Sequence, residues 1–378
     1  MTEFLPITDS NLYSIHDKVI ADERLSFEDG IALCESPDIT GVGHLANIVR
    51  ERQNGNFAFY NINQHIDYSN VCILHARCHF CAFARKDMKT EGAWEMSVDE
   101  FLDKAMYSIE HGCTEIHSVG GLHPKLPFEY YLDMLRGLKK RMPQVHLKFF
   151  TAVEIEHFAR IFKMSIKEVL IALREAGLDS LPGGGAEIFA EETRDKICPG
   201  KLSPEGWLDV HQQAHDLGIS TNATMLYGHL ETNEDRVDHL IRLREQQDKS
   251  GGFVTFIPLA FHPENTRMDY LPSPSGLIDL RIIALSRLML DNFPHIKVYW
   301  IMTGLNVAQT ALSFGADDID GTVTEEKITH MAGATTPEIV SVEEITRLIE
   351  EAGRVPVERD TLFNEIIREG NQWHRRAA

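Results

Sequence analysis

Three cysteines fall within ten residues, in the segment NVCILHARCHFCAFARK, where Cys72, Cys78 and Cys81 are spaced C-x5-C-x2-C. Thiols packed this densely read as metal-binding or redox-active rather than as a disulfide framework. Three of them suit a four-iron cluster in which one iron stays open, since an all-cysteine site would supply four ligands. The competing reading is structural zinc, with His75 or His79 completing a Cys3His set. Zinc sites usually staple small domains, and a chain of 378 residues with 43% hydrophobic side chains can build a large core without one. Cys34, Cys113 and Cys198 stand alone and read as small core residues.

Further polar and glycine-rich groups recur along the chain. Gly183-Gly184-Gly185 followed by Glu187 would present bare backbone with one carboxylate beside it, suited to a ribose diol or an ammonium. No Lys-Ser/Thr pair follows, as it would in a P-loop, so a nucleoside triphosphate is not indicated. Glu154 is either a ligand contact or a first-turn carboxylate favoured by the helix dipole. Thr224 and Tyr227 read equally as substrate contacts or inward core residues. His229, His262, Asn265 and Arg267 are donors suited to an anion, with ordinary structural roles as the alternative. Arg24, Asp29, Arg359 and Asp360 read as salt-bridge partners.

These groups need a scaffold that gathers them. Short β-branched or aromatic runs at 65–72, 115–120, 146–152, 178–181, 219–226, 253–260, 296–302 and 317–323 alternate with amphipathic stretches. Ser97 with Glu100 and Ser165 with Glu168 are capping boxes, and Ser203-Pro204 reads as N-cap and first helical residue. Eight strands alternating with helices predict a parallel (β/α)8 barrel of the TIM type over 59–335, with mainly helical extensions at 1–58 and 336–378. The cysteines, the glycine loops, Glu154, His229 and the His262–Asn265 group each follow a predicted strand, so a barrel would bring them to its C-terminal mouth, whereas Arg24, Asp29, Arg359 and Asp360 fall in the extensions.

The formal net charge of −20, from 37 basic and 57 acidic side chains, argues against nucleic acid or an anionic membrane as partner and favours a small molecule. If that molecule is an anion, the pocket must supply cations locally. The N-terminal segment has no apolar core of a secretory signal, and no apolar run approaches a membrane span. A cytoplasmic location is expected, where clustered cysteines bind metal more often than they form disulfides.

Several segments together carry a resemblance: HIDYSNVC leading to CHFCAFAR, SVGGLHP at 118–124, FFTAVEI at 149–155, AGLDSLPGGGAEIF at 176–189, TNATMLYGHLET at 221–232, GGFVTFIPLAFHPENT at 251–266 and PVERDTLFNEI at 356–366. The chain resembles the radical S-adenosylmethionine (SAM) enzymes of the futalosine route to menaquinone, over nearly its whole length. FFTAVEI, TNATMLYGH and FIPLAFHP look more like the aminodeoxyfutalosine synthases than like their sister cyclases. The resemblance implies a radical SAM barrel with a [4Fe–4S] cluster on Cys72, Cys78 and Cys81 and SAM as co-substrate. It also implies SAM contacts at Gly120, Gly121, Glu154, Gly184, Glu187 and Thr224. The implied substrate is 3-[(1-carboxyvinyl)oxy]benzoate, an anion for which Arg77, Tyr227, His229, His262, Asn265 and Arg267 are the candidate contacts. An electron donor such as flavodoxin or ferredoxin is implied as partner. The family usually spaces its cysteines C-x3-C-x2-C, and the two extra residues here leave His75 and Arg77 to shield the cluster or touch substrate.

Overall fold

The computed structural model describes residues 6–376; the first five and last two residues, and with them the start of the expected N-terminal extension, lie outside the described residues. Phe57–Asn61 (β1) carries the run FAFYN and, after a break at Ile62, passes into Asn63–His65 (β2). Glu115–Ser118 (β3), His146–Phe149 (β4), Ser180–Leu181 (β5), Ser220–Tyr227 (β6), Phe253–Ala260 (β7), His295–Ile296 (β8) and Asp318–Gly321 (β9) follow. From β2 to β8 each strand pairs in parallel with the next. Beyond β8, Lys297 bridges Asp318 and the Val298 N–H donates to the Asp318 carbonyl at 2.9 Å, while β9 pairs in parallel with β1. Since β1 and β2 are two halves of one bent strand, the ring closes on eight strands.

Three segments differ from expectation. The first strand lies at 57–65 rather than 65–72. Residues beyond His65 stay extended but make only single bridges, Ser69 with Glu95 and Val71 with Arg85, because they have left the barrel wall for the loop. The seventh strand stops at Ile296, and Trp300–Thr303 turns helical because the buried indole of Trp300 donates to the Gly321 carbonyl at 2.9 Å. Within 336–376 only Val342–Glu351 is a long helix. Val355–Glu358 (β10) pairs in parallel with β1, on the side exposed where β2 swings over to β3, and Ile366–Glu369 (β11) with Gln372–Arg375 (β12) form an antiparallel hairpin. β-branched Val355, Val357, Ile366 and Ile367 favour strand, and the edge of β1 was free to pair with the first of these segments.

Helices cover the outside. The capping boxes at Ser97/Glu100 and Ser165/Glu168 form as expected, and Ser203 caps a helix with Pro204 in its first turn. N-terminal helices Phe27–Glu35 and Ile39–Asn54 lie on helix Gly276–Met289, where Arg281 donates to the Leu33 carbonyl at 2.9 Å. Arg24 pairs with Asp248 and Asp291, Asp29 with Lys18, Arg359 with Asp318 and Asp360 with Arg375, so these residues are salt-bridge partners. Cys34, Cys113 and Cys198 are buried, as core residues should be. Between barrel and helices packs an aromatic cluster of Tyr68, Tyr131, Phe149, Phe150 and Phe158.

The barrel interior is not the packed aliphatic core usual for this architecture. Its lower half holds Glu115 with Lys148 (2.5 Å), Lys297 with Asp320 (2.6 Å), and Arg359 with Asp318 (2.5 Å), all buried. Arg359 and Thr361, whose hydroxyl donates to Glu115 at 2.5 Å, come from the C-terminal segment and close the bottom. Space is therefore left above these charges.

Candidate active site

That space is a cavity of about 330 Å³ opening at the C-terminal ends of the strands. Cys72, Cys78 and Cys81 line it from the loop after β2. Burial raises the Cys72 thiol, and pushes that of Cys78 up to about 12, so metal binding must supply the energy to deprotonate them. Neither histidine proposed for zinc turns to the thiols: His75 Nδ1 lies 3.2 Å from the Cys72 carbonyl and His79 Nδ1 2.9 Å from that of Lys196. Among the described residues no three His, Cys, Asp or Glu side chains converge as around one metal ion. Soft thiolates spread along one loop at a cavity wall fit a cubane better than a four-ligand zinc site.

All six residues expected to touch SAM line the same cavity: Gly120, Gly121, Glu154, Gly184, Glu187 and Thr224. Gly121 donates to the Ser69 carbonyl at 2.8 Å, and a Cβ there would lie 2.3 Å from the Val71 carbonyl oxygen. The glycine therefore lets the loop after β3 pass against the cysteine loop. A Cβ on Gly120 would meet the Tyr68 ring at 2.4 Å.

Glu154 caps helix Ala152–Phe162 through Thr151 and also faces inward. Its Oε2 accepts from the Thr151 N–H (2.7 Å) and hydroxyl (2.8 Å), its Oε1 from the Tyr68 hydroxyl (2.7 Å) and the Gly120 N–H (3.1 Å). The carboxylate therefore caps the helix and stands in the cavity wall at the same time. Complete burial raises its pKa to about 7 against the opposing pull of those four donors. Glu187 sits at φ +51° at the end of the glycine loop and pairs with Lys201 at 2.5 Å. Burial works against the Lys201 ammonium, but Glu187 raises its pKa, and the head lies 5.3 Å from the centre of the Phe80 ring. Thr224 donates to the Gly183 carbonyl at 2.6 Å and so anchors that loop as well as lining the cavity.

Of the six residues considered for the substrate, only His262 lines the cavity, with Nε2 3.0 Å from the Met302 carbonyl. The other five are corrected by their surroundings. Arg77 is exposed on the outer side of the cysteine loop, beside Gly200. Tyr227 is buried behind the wall, its hydroxyl 2.8 Å from Asp279. The His229 side chain is fully buried between the Leu226 carbonyl and Glu231. Asn265 is exposed and donates to the Met331 carbonyl at 3.0 Å. Arg267, also exposed, donates to the Ala76 carbonyl at 2.7 Å and its N–H to the His79 carbonyl at 2.9 Å, tying its own loop to the cysteine loop.

The cavity also has a charged wall, contributed by the strands and the residues that directly follow them, which the loop motifs do not reveal. His65, His117 and Lys148 occupy paired register positions on β2, β3 and β4, and Lys297, Asp320, Asp67 and Glu326 face the same space. Burial raises the Asp67 carboxyl well above its usual range, with Glu326 adding to the effect. The signal was present: an isolated Lys in HLKFF and in HIKVYW is a charge inside an apolar run.

The profile of the radical SAM superfamily matches residues 67–243, and that of the "CofH/MqnC C-terminal region" matches 250–369. The chain is 49% identical to the aminodeoxyfutalosine synthase of Thermus thermophilus, covering 95% of this chain and 97% of that one. It is 45% identical to the enzyme of the same name from Streptomyces coelicolor, over 94% of each. Identity to the cyclic dehypoxanthine futalosine synthase of S. coelicolor is 37%, over 95% of this chain and 90% of the other. The crystal structure of methylornithine synthase shares the fold, with a TM-score of 0.72 at 19% identity over 90% of this chain and 97% of that one.

Proposed function

Because the chain belongs to the aminodeoxyfutalosine synthase family of radical SAM proteins, we propose that it joins the adenosyl group of SAM to 3-[(1-carboxyvinyl)oxy]benzoate, giving aminodeoxyfutalosine, methionine and carbon dioxide or bicarbonate. The observation that carries this reading is that one cavity is lined both by the three cysteines and by the Gly120-Gly121, Glu154 and Gly183–Glu187 groups suited to SAM. Cys72, Cys78 and Cys81 would hold a [4Fe–4S] cluster, which would supply the electron that cleaves SAM to methionine and a 5′-deoxyadenosyl radical.

The chain's own residues do the rest. Gly120 and Gly121 give the SAM amino group a path to backbone, and Glu154 holds a negative charge beside it. The Gly183–Gly185 loop, held by Thr224, leaves room for the ribose. The wall formed by Leu226, Ile257, Leu259 and Phe261 keeps water and hydrogen donors from the radical.

No helix among the described residues is long and apolar enough to cross a membrane. A cytoplasmic site of action suits the reading, because a low-potential donor such as flavodoxin or ferredoxin is available there to reduce the cluster. The test is a pair of assays with SAM labelled in its adenosyl ribose, one with the enol ether and one with dehypoxanthine futalosine. The label should enter the adduct with the enol ether, in step with methionine release. An inert enol ether, with 5′-deoxyadenosine formed from dehypoxanthine futalosine, would assign the chain to the cyclase reaction instead.

A further inference from the structure

We propose that the floor of the cavity, formed by Lys148, Lys297 and His117, is a binding subsite for an aryl carboxylate and seats the ring carboxylate of the substrate. This rests on the synthase reading above. An ammonium carries three N–H groups. Among the described residues Lys148 hydrogen-bonds one acceptor, Glu115 at 2.5 Å, and Lys297 one, Asp320 at 2.6 Å. Two N–H groups on each are left beside the cavity that both residues line. His117 Nε2 is buried without a partner, while its Nδ1 lies 3.2 Å from His65 Nε2. A buried polar atom in that condition costs free energy unless something binds it.

The charges are arranged to face upward. Glu115 and Asp318, the first residues of β3 and β9, lie beneath the lysine heads with Arg359; of the carboxylates paired to the lysines, only Asp320 lines the cavity. Ion pairing with Glu115 and Asp320 opposes the burial of the two ammonium groups, and the cavity is the open space beside them. Substrate geometry selects which carboxylate arrives. Lys148 and His117 lie within β4 and β3, each three residues before Thr151 and Gly120, which stand just beyond the strand ends, and so sit deeper in the barrel. The vinyl carbon must meet the adenosyl carbon near those ends, and the carboxylate on the neighbouring carbon stays with it. The ring carboxylate is the group that reaches downward.

The experiment compares 3-[(1-carboxyvinyl)oxy]benzoate with (1-carboxyvinyl)oxybenzene, which lacks the ring carboxylate. In the wild-type holoenzyme the analogue should require a KM roughly 10- to 150-fold higher, the range for hydrogen bonds to a charged group. Two variants follow: Lys148→Gln, and Lys297→Gln combined with Asp320→Asn, which removes an ion pair without changing net charge. Each should bring the two KM values to within about threefold of one another by raising that of the dicarboxylate. Iron loading reports whether each variant is folded. A wild-type enzyme that does not distinguish the two compounds, or variants that keep the full ratio, would overturn the subsite and leave the synthase reading intact. A wild-type enzyme that forms no adduct with the dicarboxylate would overturn the synthase reading itself, and the subsite with it.

Discussion

Replacing Glu154 with Gln should make the protein more stable at alkaline pH and bind SAM less well. The carboxyl titrates near 7 in the fold against about 4.5 when exposed, because it is completely buried. Between those values the folded chain binds the proton more tightly than the unfolded one. Stability is therefore highest below the unfolded pKa and falls as pH rises towards the folded one. The difference amounts to about 3 kcal/mol when fully expressed, of which about 1 is already lost at pH 5 and nearly all at pH 8.

Glutamine does not titrate, so the variant should gain about 2 kcal/mol on the wild type between those two pH values. The amide keeps one acceptor for the Tyr68 and Gly120 donors, and the Thr151 hydroxyl can turn to accept from its NH2. The Thr151 N–H is left orphaned, at a cost of roughly 1–3 kcal/mol that a protonated Glu154 shares and that is therefore largely independent of pH. SAM affinity should fall roughly 10- to 150-fold at pH 8, where the lost charge faces a cationic ligand. Urea midpoints of wild type and variant at both pH values, with SAM titrations of the reconstituted proteins, measure both effects. A variant with the same pH slope as wild type, or with unchanged SAM affinity, would show that Glu154 is only a helix cap.

Other outcomes follow from the same geometry. Cys72→Ala, Cys78→Ala and Cys81→Ala should each abolish stable iron and sulfide loading, measured after anaerobic reconstitution; full loading in any one would remove that residue from the site. Gly121→Val should lose iron as well as SAM binding, because its Cβ would strike the Val71 carbonyl and lie 3.0 Å from the Cys72 Cβ. Gly184→Ala, which meets only the Thr151 methyl at 3.0 Å, should retain iron and weaken SAM binding, as titration would show. Arg267→Met should speed iron loss by roughly 2- to 10-fold, in line with one hydrogen bond lost from the cysteine loop. A selective rise in substrate KM there would return Arg267 to a substrate role.

Much of the molecule was legible in the chain itself. The strand-helix alternation fixed an eight-stranded parallel barrel because hydrophobic period and helix caps are local properties, and Ser97, Ser165 and Ser203 cap their helices where the sequence placed them. The cysteine spacing and the glycine loops were legible too, since a thiolate or a missing Cβ keeps its chemistry wherever it stands. Direction was not legible in loops, which have no period to say which way a side chain turns. Arg77, Asn265 and Arg267 follow predicted strands yet face outward to carbonyls and solvent.

Tertiary structure alone decided three further matters. The bend at Ile62 split the first strand and freed an edge, which turned Val355–Glu358 into β10. Barrel register set His65, His117 and Lys148 side by side although 83 positions separate the first from the last. Burial raised the pKa of Glu154, an ordinary capping carboxylate by sequence, to about 7. Strand pairing, solvent exclusion and charge proximity all depend on distance through space, and a sequence records only distance along the chain.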